Sequence, residues 1–202
     1  MTRAIVSGFS GSTYKNLADI TWPAMVQYAR TIGVEFHGVE LSSGKRPPSW
    51  GKLAAVAGAL AKHDEVLWID VDVDVSRATR NIFNDFRPGF QAAACWLTDE
   101  RGRGHYNCGI FLARRDFLET IVMAAMQDDC IHDDWWEQAA INRLASEQTV
   151  HRLGEEWNSW RGTSKEVVPQ FRHACGIETP ELRVAWLVGE KAKTAACQED
   201  RQ

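Results

Sequence analysis

The chain has 202 residues, 45% hydrophobic and 25% charged, with 23 Lys and Arg against 27 Asp and Glu for a net charge of −4. That balance belongs to an ordinary globular protein and excludes disordered, collagen-like and disulfide-stapled classes. The longest apolar run, Leu53–Ala61, has nine residues, against about twenty for a membrane helix. The apolar stretch after Met1-Thr2-Arg3 is too short for a signal-peptide core, so a cytoplasmic protein is expected. The acidic excess gives no strong nucleic-acid signal. Five scattered cysteines without a CxxC pair are expected to be reduced and mostly buried.

In chain order, Arg3–Phe9 holds a β-rich run that ends in the flexible loop Ser7–Gly11. Pro23 suits a helix first turn, and the helix should run to Ile32, where Gly33 stops it. Val34–Leu41 reads as a second strand, and 42–49, with Gly44, Pro47 and Pro48, as a loop. Trp50–His63 predicts a helix, because Leu53, Val56, Ala57 and Leu60 make one apolar stripe. Val66–Ile69 is four apolar residues without alternation, the signature of a central parallel strand buried on both faces. Strand, helix, strand, helix, strand predicts an α/β sheet. Beyond it, Phe90–Leu97 and Cys108–Ala113 read as strands. Asp116–Gln127, capped by Asp116, and Trp135–Glu147 read as helices. From Val167 the pattern is weak, and 189–202 is expected to be a flexible tail after a single domain over 1–188.

The most informative stretch is Asp70-Val71-Asp72-Val73-Asp74. In an extended chain these carboxylates share one face about 7 Å apart, and like charges at that spacing raise one another's pKa. Solvent, arginines or a bound cation must offset the repulsion. An acidic edge strand satisfies the alternation, but the buried run just upstream argues for the carboxyl end of a central strand, where α/β ligands collect. Carboxylate oxygens suit Mg²⁺ or Mn²⁺, ions that leave positions for substrate phosphates.

Lys52–Val75 resembles the core of GT-A-fold glycosyltransferases, which use nucleotide-sugar donors. A lysine-started helix, an apolar strand and a DxD motif, here Asp70-Val71-Asp72, follow one another. Asn107-Cys108-Gly109-Ile110-Phe111-Leu112 resembles the family's N-x-G strand lining the donor-sugar pocket. Glu137-Gln138-Ala139-Ala140-Ile141-Asn142 resembles its acidic-Gln helix start, with Glu where the family has Asp. Phe171-Arg172-His173-Ala174-Cys175-Gly176 resembles its H-x-x-G segment. The likeness covers residues 3–176, and its order is that of the retaining galactosyl- and mannosyltransferase-like members, though the chain is short for the group.

The resemblance implies a mostly parallel GT-A sheet flanked by helices. It also implies a hexosyltransferase using a nucleotide-diphosphate sugar, with UDP as the expected carrier, and an acceptor left open. Asp70, Asp72 and His173 would hold Mn²⁺ or Mg²⁺, Asp70 either sharing the ion or holding the ribose. Ser7, Gly8 and Phe9 would wrap the nucleoside, or form a plain turn. Lys52 would reach phosphate or ribose, or stay solvated. Asn107, Cys108 and Gly109 would line the donor pocket. Gln138 would lie beneath the sugar, with Glu137 and Asp134 beside it. Asp134-x-x-Glu137 also has the spacing of a helix N-cap with its reciprocal partner. The basic loop Arg101–His105 either meets an anionic acceptor or the donor phosphates or is simply solvated, and Trp135, Trp136, Trp157 and Trp160 either pack in the core or form a stacking platform. Two alternatives share the D-x-D: a haloacid-dehalogenase-like phosphatase with Asp70 as nucleophile, and a non-catalytic nucleotide-sugar-binding module.

Overall fold

The computed structural model describes residues 1–42, 44–99 and 101–199, with side chains to 192. One mixed, mostly parallel six-stranded sheet organises the single domain, in the order β2-β1-β3-β6-β5-β7. Its strands are β1 (Arg3–Phe9), β2 (Glu35–Glu40), β3 (Glu65–Ile69), β5 (Ala92–Thr98), β6 (Gly104–Arg114) and β7 (Val150–Leu153). β1 runs parallel to β2 and β3, and β5 parallel to β7, while β6 is antiparallel to both β3 and β5. Five helices flank it: α1 (Gly11–Ile32), α2 (Gly51–Leu60), α3 (Leu118–Ala125), α4 (Glu137–Leu144) and α5 (Pro180–Glu199). A second small sheet pairs β4 (Val73–Asp74) with β8 (Arg172–His173). No helix among the described residues is long and apolar enough to cross a membrane.

β3 shows why the sheet is covered on both sides. All five of its residues are buried, and they alternate between two cores. Val66 and Trp68 join Leu53, Val56 and Leu60 of α2 with Ile121 of α3. Leu67 and Ile69 join Met25 and Tyr28 of α1 with Trp157 and Phe171. The strand has one parallel and one antiparallel neighbour rather than two parallel ones, because β6 returns beside it.

Several sequence expectations need correcting. Helix α1 begins at Gly11, so Pro23 lies inside it. A helix-interior proline removes one backbone bond at a cost of about 3 kcal/mol. The buried residues Leu17, Ala18, Thr21, Met25, Tyr28 and Ala29 run along both sides of it and hold the helix together. Gly33 ends the helix as expected, at φ 72°. Asp116 lies within a 3₁₀ turn, Arg115–Phe117, and caps nothing. Asp134 likewise does not cap α4. Its neighbour Asp133 instead accepts from the Trp135 amide at 3.2 Å. The weakly patterned C-terminal region contains β8 and α5. Helix α5 continues through Gly189, and in the segment expected as a tail Glu190 is buried and ion-paired to Arg172. Residues 200–202 lie outside the described residues.

Candidate active site

The carboxyl end of β3 opens into a cleft of about 370 Å³, where an open α/β sheet gathers its ligands. The aspartates do not continue as a strand. The chain turns: the Asp70 amide donates to the Gly109 carbonyl at 2.7 Å and the Val73 amide returns to the Asp70 carbonyl at 3.2 Å. Thr21 of α1 fixes the turn from outside, its hydroxyl donating to the Val71 carbonyl at 2.8 Å. Asp70 and Asp72 therefore line the cleft, whereas Asp74 passes into β4. There it accepts from the amide and hydroxyl of Ser76 at 3.1 and 2.9 Å. The expectation of three carboxylates on one face fails at this turn.

His173 arrives through the small sheet. It is in register with Val73, its amide donates to the Ser159 carbonyl at 2.8 Å, and the Ala174 amide donates to the Asp72 carbonyl at 3.1 Å. Its Nε2 lies 3.3 Å from Asp72 Oδ1. One ligand atom from each of Asp70, Asp72 and His173 falls within 4.8 Å of the others.

Asn158, buried and unforeseen, fixes the imidazole. His173 Nδ1 lies 2.9 Å from Asn158 Oδ1, and Asn158 Nδ2 donates to Asn107 Oδ1 at 2.8 Å. That amide orientation makes Nδ1 the protonated nitrogen and turns Nε2 toward the aspartates, the outer-shell arrangement of metal-ligating histidines.

Glycine is required at 109. A Cβ there would sit 2.2 Å from His173 Cε1 and 3.0 Å from Asp70 Oδ2. Gly109→Ala is expected to leave the fold intact but displace the imidazole. The check is a circular dichroism spectrum like wild type, together with divalent-cation affinity reduced at least tenfold.

The Asn107-Cys108-Gly109 segment owes its shape to a bulge. Between Ala94 and Cys95 the β5–β6 register jumps, from Phe111 to Asn107, leaving Cys108, Gly109 and Ile110 without β5 partners. Bulges next to active sites re-aim the chain. Here the freed Cys108 amide donates to Gln138 Oε1 at 2.8 Å, and its carbonyl accepts from Lys52 Nζ at 3.0 Å. Cys108 thus meets the site through its main chain, its thiol being buried.

Lys52 is 4% exposed. All three of its ammonium protons are taken, by Cys108 O, by Asp70 Oδ1 at 3.0 Å and by Glu137 Oε1 at 2.9 Å. Burial by itself depresses the ammonium pKa, but the two carboxylates outweigh it and raise the group above its usual range. Burial also raises Asp70, with Lys52 opposing and Asp72 reinforcing. Trp68 Nε1 donates to Asp70 Oδ1 at 2.6 Å. Burial likewise works against the Asp72 carboxylate, yet His173 and Arg183 hold it at about 2. His173 is pushed down by burial and lifted well above its ordinary value by Cys175 and Asp72. Arg183, another unforeseen residue, reaches from α5 to Asp72 Oδ2 at 2.9 Å and to the Ile177 carbonyl at 2.9 Å.

Of the remaining expected residues, Gly8, Phe9, Asn107, Asp134, Glu137 and Gln138 line the cleft. Ser7 does not. It is fully buried and its hydroxyl accepts from Trp22 Nε1 at 3.1 Å. The basic loop folds onto the aromatic wall: His105 stacks on Trp135 at 4.3 Å between ring centroids, and the Arg103 guanidinium lies 4.9 Å from the same ring. Trp135 and Trp136 face the cleft, while Trp157 is core, its Nε1 donating to Asp85 at 2.7 Å. Trp136 is the one non-glycine residue with positive φ (45°) among the described residues, and such strain concentrates at ligand sites.

No family model matches the chain, and no curated protein matches it in sequence. Solved structures match its fold. A glycosyltransferase involved in the glycosylation of the major capsid of PBCV-1 superposes with a TM-score of 0.76 at 17% identity, over 93% of this chain and 98% of that one. The galactosyltransferase LgtC, in complex with donor and acceptor sugar analogues, gives 0.66 at 14% identity, over 93% and 95%. The glycosyltransferase GlyE of Streptococcus pneumoniae TIGR4 gives 0.62 at 16% identity. It aligns over 92% of this chain, which spans 60% of GlyE. The chain therefore has the fold of these glycosyltransferases.

Proposed function

We propose that the chain is a metal-dependent hexosyltransferase that takes a sugar from a nucleotide-diphosphate donor, with UDP as carrier, and passes it to an acceptor with retention. The observation that carries this reading is the meeting of Asp70, Asp72 and His173 at the cleft floor of a glycosyltransferase fold. Two carboxylates and an imidazole suit Mn²⁺, and Mg²⁺ less well. When bound, the ion would supply Lewis-acid neutralisation of the leaving diphosphate.

The chain's own groups do the rest. Gly8 and Phe9, with Tyr14, form the wall on which the nucleoside rests. Asn158 keeps the His173 ring turned toward the aspartates. Lys52 ties Asp70 to Glu137 and so locks the DxD turn to the start of α4. Gln138, held by the Cys108 amide, presents an amide to the donor sugar. An amide is a poor nucleophile, so its contribution is electrostatic support of positive charge at the anomeric carbon, consistent with front-face substitution.

A melting panel of UDP and GDP with and without Mn²⁺ tests the reading. Ligand at a hundred times its Kd adds about 2.7 kcal/mol of stability, which raises the Tm by roughly 5–10 °C for a chain of this size. UDP with Mn²⁺ should raise it, and Asp72→Asn should abolish the shift. Gln138→Ala should keep the shift and slow transfer by roughly 10²–10³-fold, the scale of losing one electrostatic group. No shift with either nucleotide overturns the donor assignment, and a β-linked product from an α-linked donor overturns retention.

A further inference from the structure

At the opposite end of the sheet from the cleft, where the parallel strands begin, a second set of ligand-type side chains converges. Glu35 and His37 are two residues apart on edge strand β2 and so project from one face. His63 lies in the turn between α2 and β3. His37 Nε2 is 3.3 Å from Glu35 Oε2, His63 Nε2 is 3.8 Å from the same oxygen, and the two imidazole centroids are 5.5 Å apart. One ligand atom from each residue lies within 4.8 Å of the others. Nitrogen and oxygen donors about 2.0–2.2 Å from a tetrahedral Zn²⁺ stand roughly 3.3–3.5 Å from each other. Small side-chain rotations therefore bring this set to bonding distance.

The state of His63 points to a ligand independently. Its side chain is 9% exposed, and its buried Nδ1 has no hydrogen-bond partner. Its Nε2 faces the cluster at a distance too long for a hydrogen bond. The nitrogen that faces the cluster therefore has no hydrogen bond, which is costly for a buried imidazole; a cation on Nε2 would supply that nitrogen's missing partner, with the proton on Nδ1. The donor set also differs from that of the cleft. Two imidazoles and one carboxylate favour Zn²⁺ over Mn²⁺ or Mg²⁺, and three protein ligands leave a place for water.

We propose that Glu35, His37 and His63 form a second metal centre, for Zn²⁺, that clasps edge strand β2 to the α2–β3 turn. From Glu65 to Asp70 the chain climbs about 16 Å along β3, so this centre is separate from the cleft and does not depend on the glycosyl-transfer reading.

Calorimetric Zn²⁺ titration of the metal-stripped full chain tests it, with Co²⁺ as a spectroscopic reporter of imidazole ligation. Because Asp72 and His173 also accept Zn²⁺, the titration is made on Asp72→Asn and on wild type in excess Mn²⁺. Both should bind one equivalent. Adding His37→Gln or Glu35→Gln should weaken binding at least tenfold and remove the Co²⁺ visible absorption. These side chains are 41% and 67% exposed, so the substitutions test binding even where the buried His63→Gln fails to fold. Zn²⁺ affinity unchanged by His37→Gln and Glu35→Gln overturns the proposal. So does the absence of any Zn²⁺ binding once the cleft is blocked.

Discussion

Lys52→Met is expected to be the most destabilising single change at the cleft, although lysine is ordinarily the least structural of residues. The ammonium is 5% exposed at its side chain and sits against Glu137, itself 6% exposed, and Asp70. Removing one partner of a buried ion pair strands the other, at a typical cost of 3–5 kcal/mol. For a domain of this length that lowers the Tm by roughly 6–20 °C. Met fills the volume of the aliphatic stem, so the loss reports charge rather than a cavity. Two controls separate this account from simple mispacking. Glu137→Gln combined with Lys52→Met should recover part of the loss, since the stranded carboxylate is gone and the two sites are coupled. The deficit of Lys52→Met should also shrink toward acid pH, where Asp70, whose carboxyl pKa is raised by burial, accepts a proton and needs no counter-charge. A Tm within 2 °C of wild type would mean that Lys52 does not hold the turn to α4. The larger loss would identify Lys52 as a positioning residue. With its three donors committed inside the protein, it shapes the Asp70 carboxylate at the cleft.

How much of this was legible in the sequence follows from the range of the forces involved. The buried strand Val66–Ile69 and the Gly33 stop are written in local periodicity and backbone preference, and both are present in the structure. The turn at Asp70–Val73 was not legible, because alternating Val and Asp reads as a strand and the hydroxyl that fixes the turn from outside comes from Thr21 on α1, fifty positions away. Asp70 and Asp72 were visible as an unusual density of charge. His173 had no local mark and was found only through its resemblance to a motif. Asn158 and Arg183 had neither. Arg183 meets Asp72 across 111 positions, and nothing about an isolated arginine or asparagine records which buried polar group it satisfies. Lys52 shows the same limit from the other side: its sequence position was informative, but only tertiary packing decides whether its charge faces solvent or two carboxylates.

Mn²⁺ affinity is expected to rise with pH beyond the range in which a free histidine titrates. In the metal-free protein Asp72 is ionised down to about pH 2, whereas His173 keeps its proton well above the ordinary 6.5 because Cys175 and Asp72 stabilise the imidazolium. An imidazole binds a metal only in its neutral form, so at pH 7 binding expels that proton. The affinity should keep increasing as pH rises above 6.5, where an unperturbed histidine would already be levelling off. Calorimetry in buffers of different ionisation enthalpy should detect proton release on binding at pH 7. The metal-free protein must show the opposite slope. A raised folded-state pKa contributes stability that is complete below the unfolded pKa of about 6.5 and is lost as pH rises through the folded value. The metal-free protein should therefore lose up to about 1.4 kcal/mol per pH unit in that window, and His173→Gln should flatten the profile. A metal-free profile that is already flat above pH 6.5 would mean that His173 is neutral without the ion. Its Nε2 would then be a ready ligand, and the charge on Asp72 would be balanced by Arg183 alone.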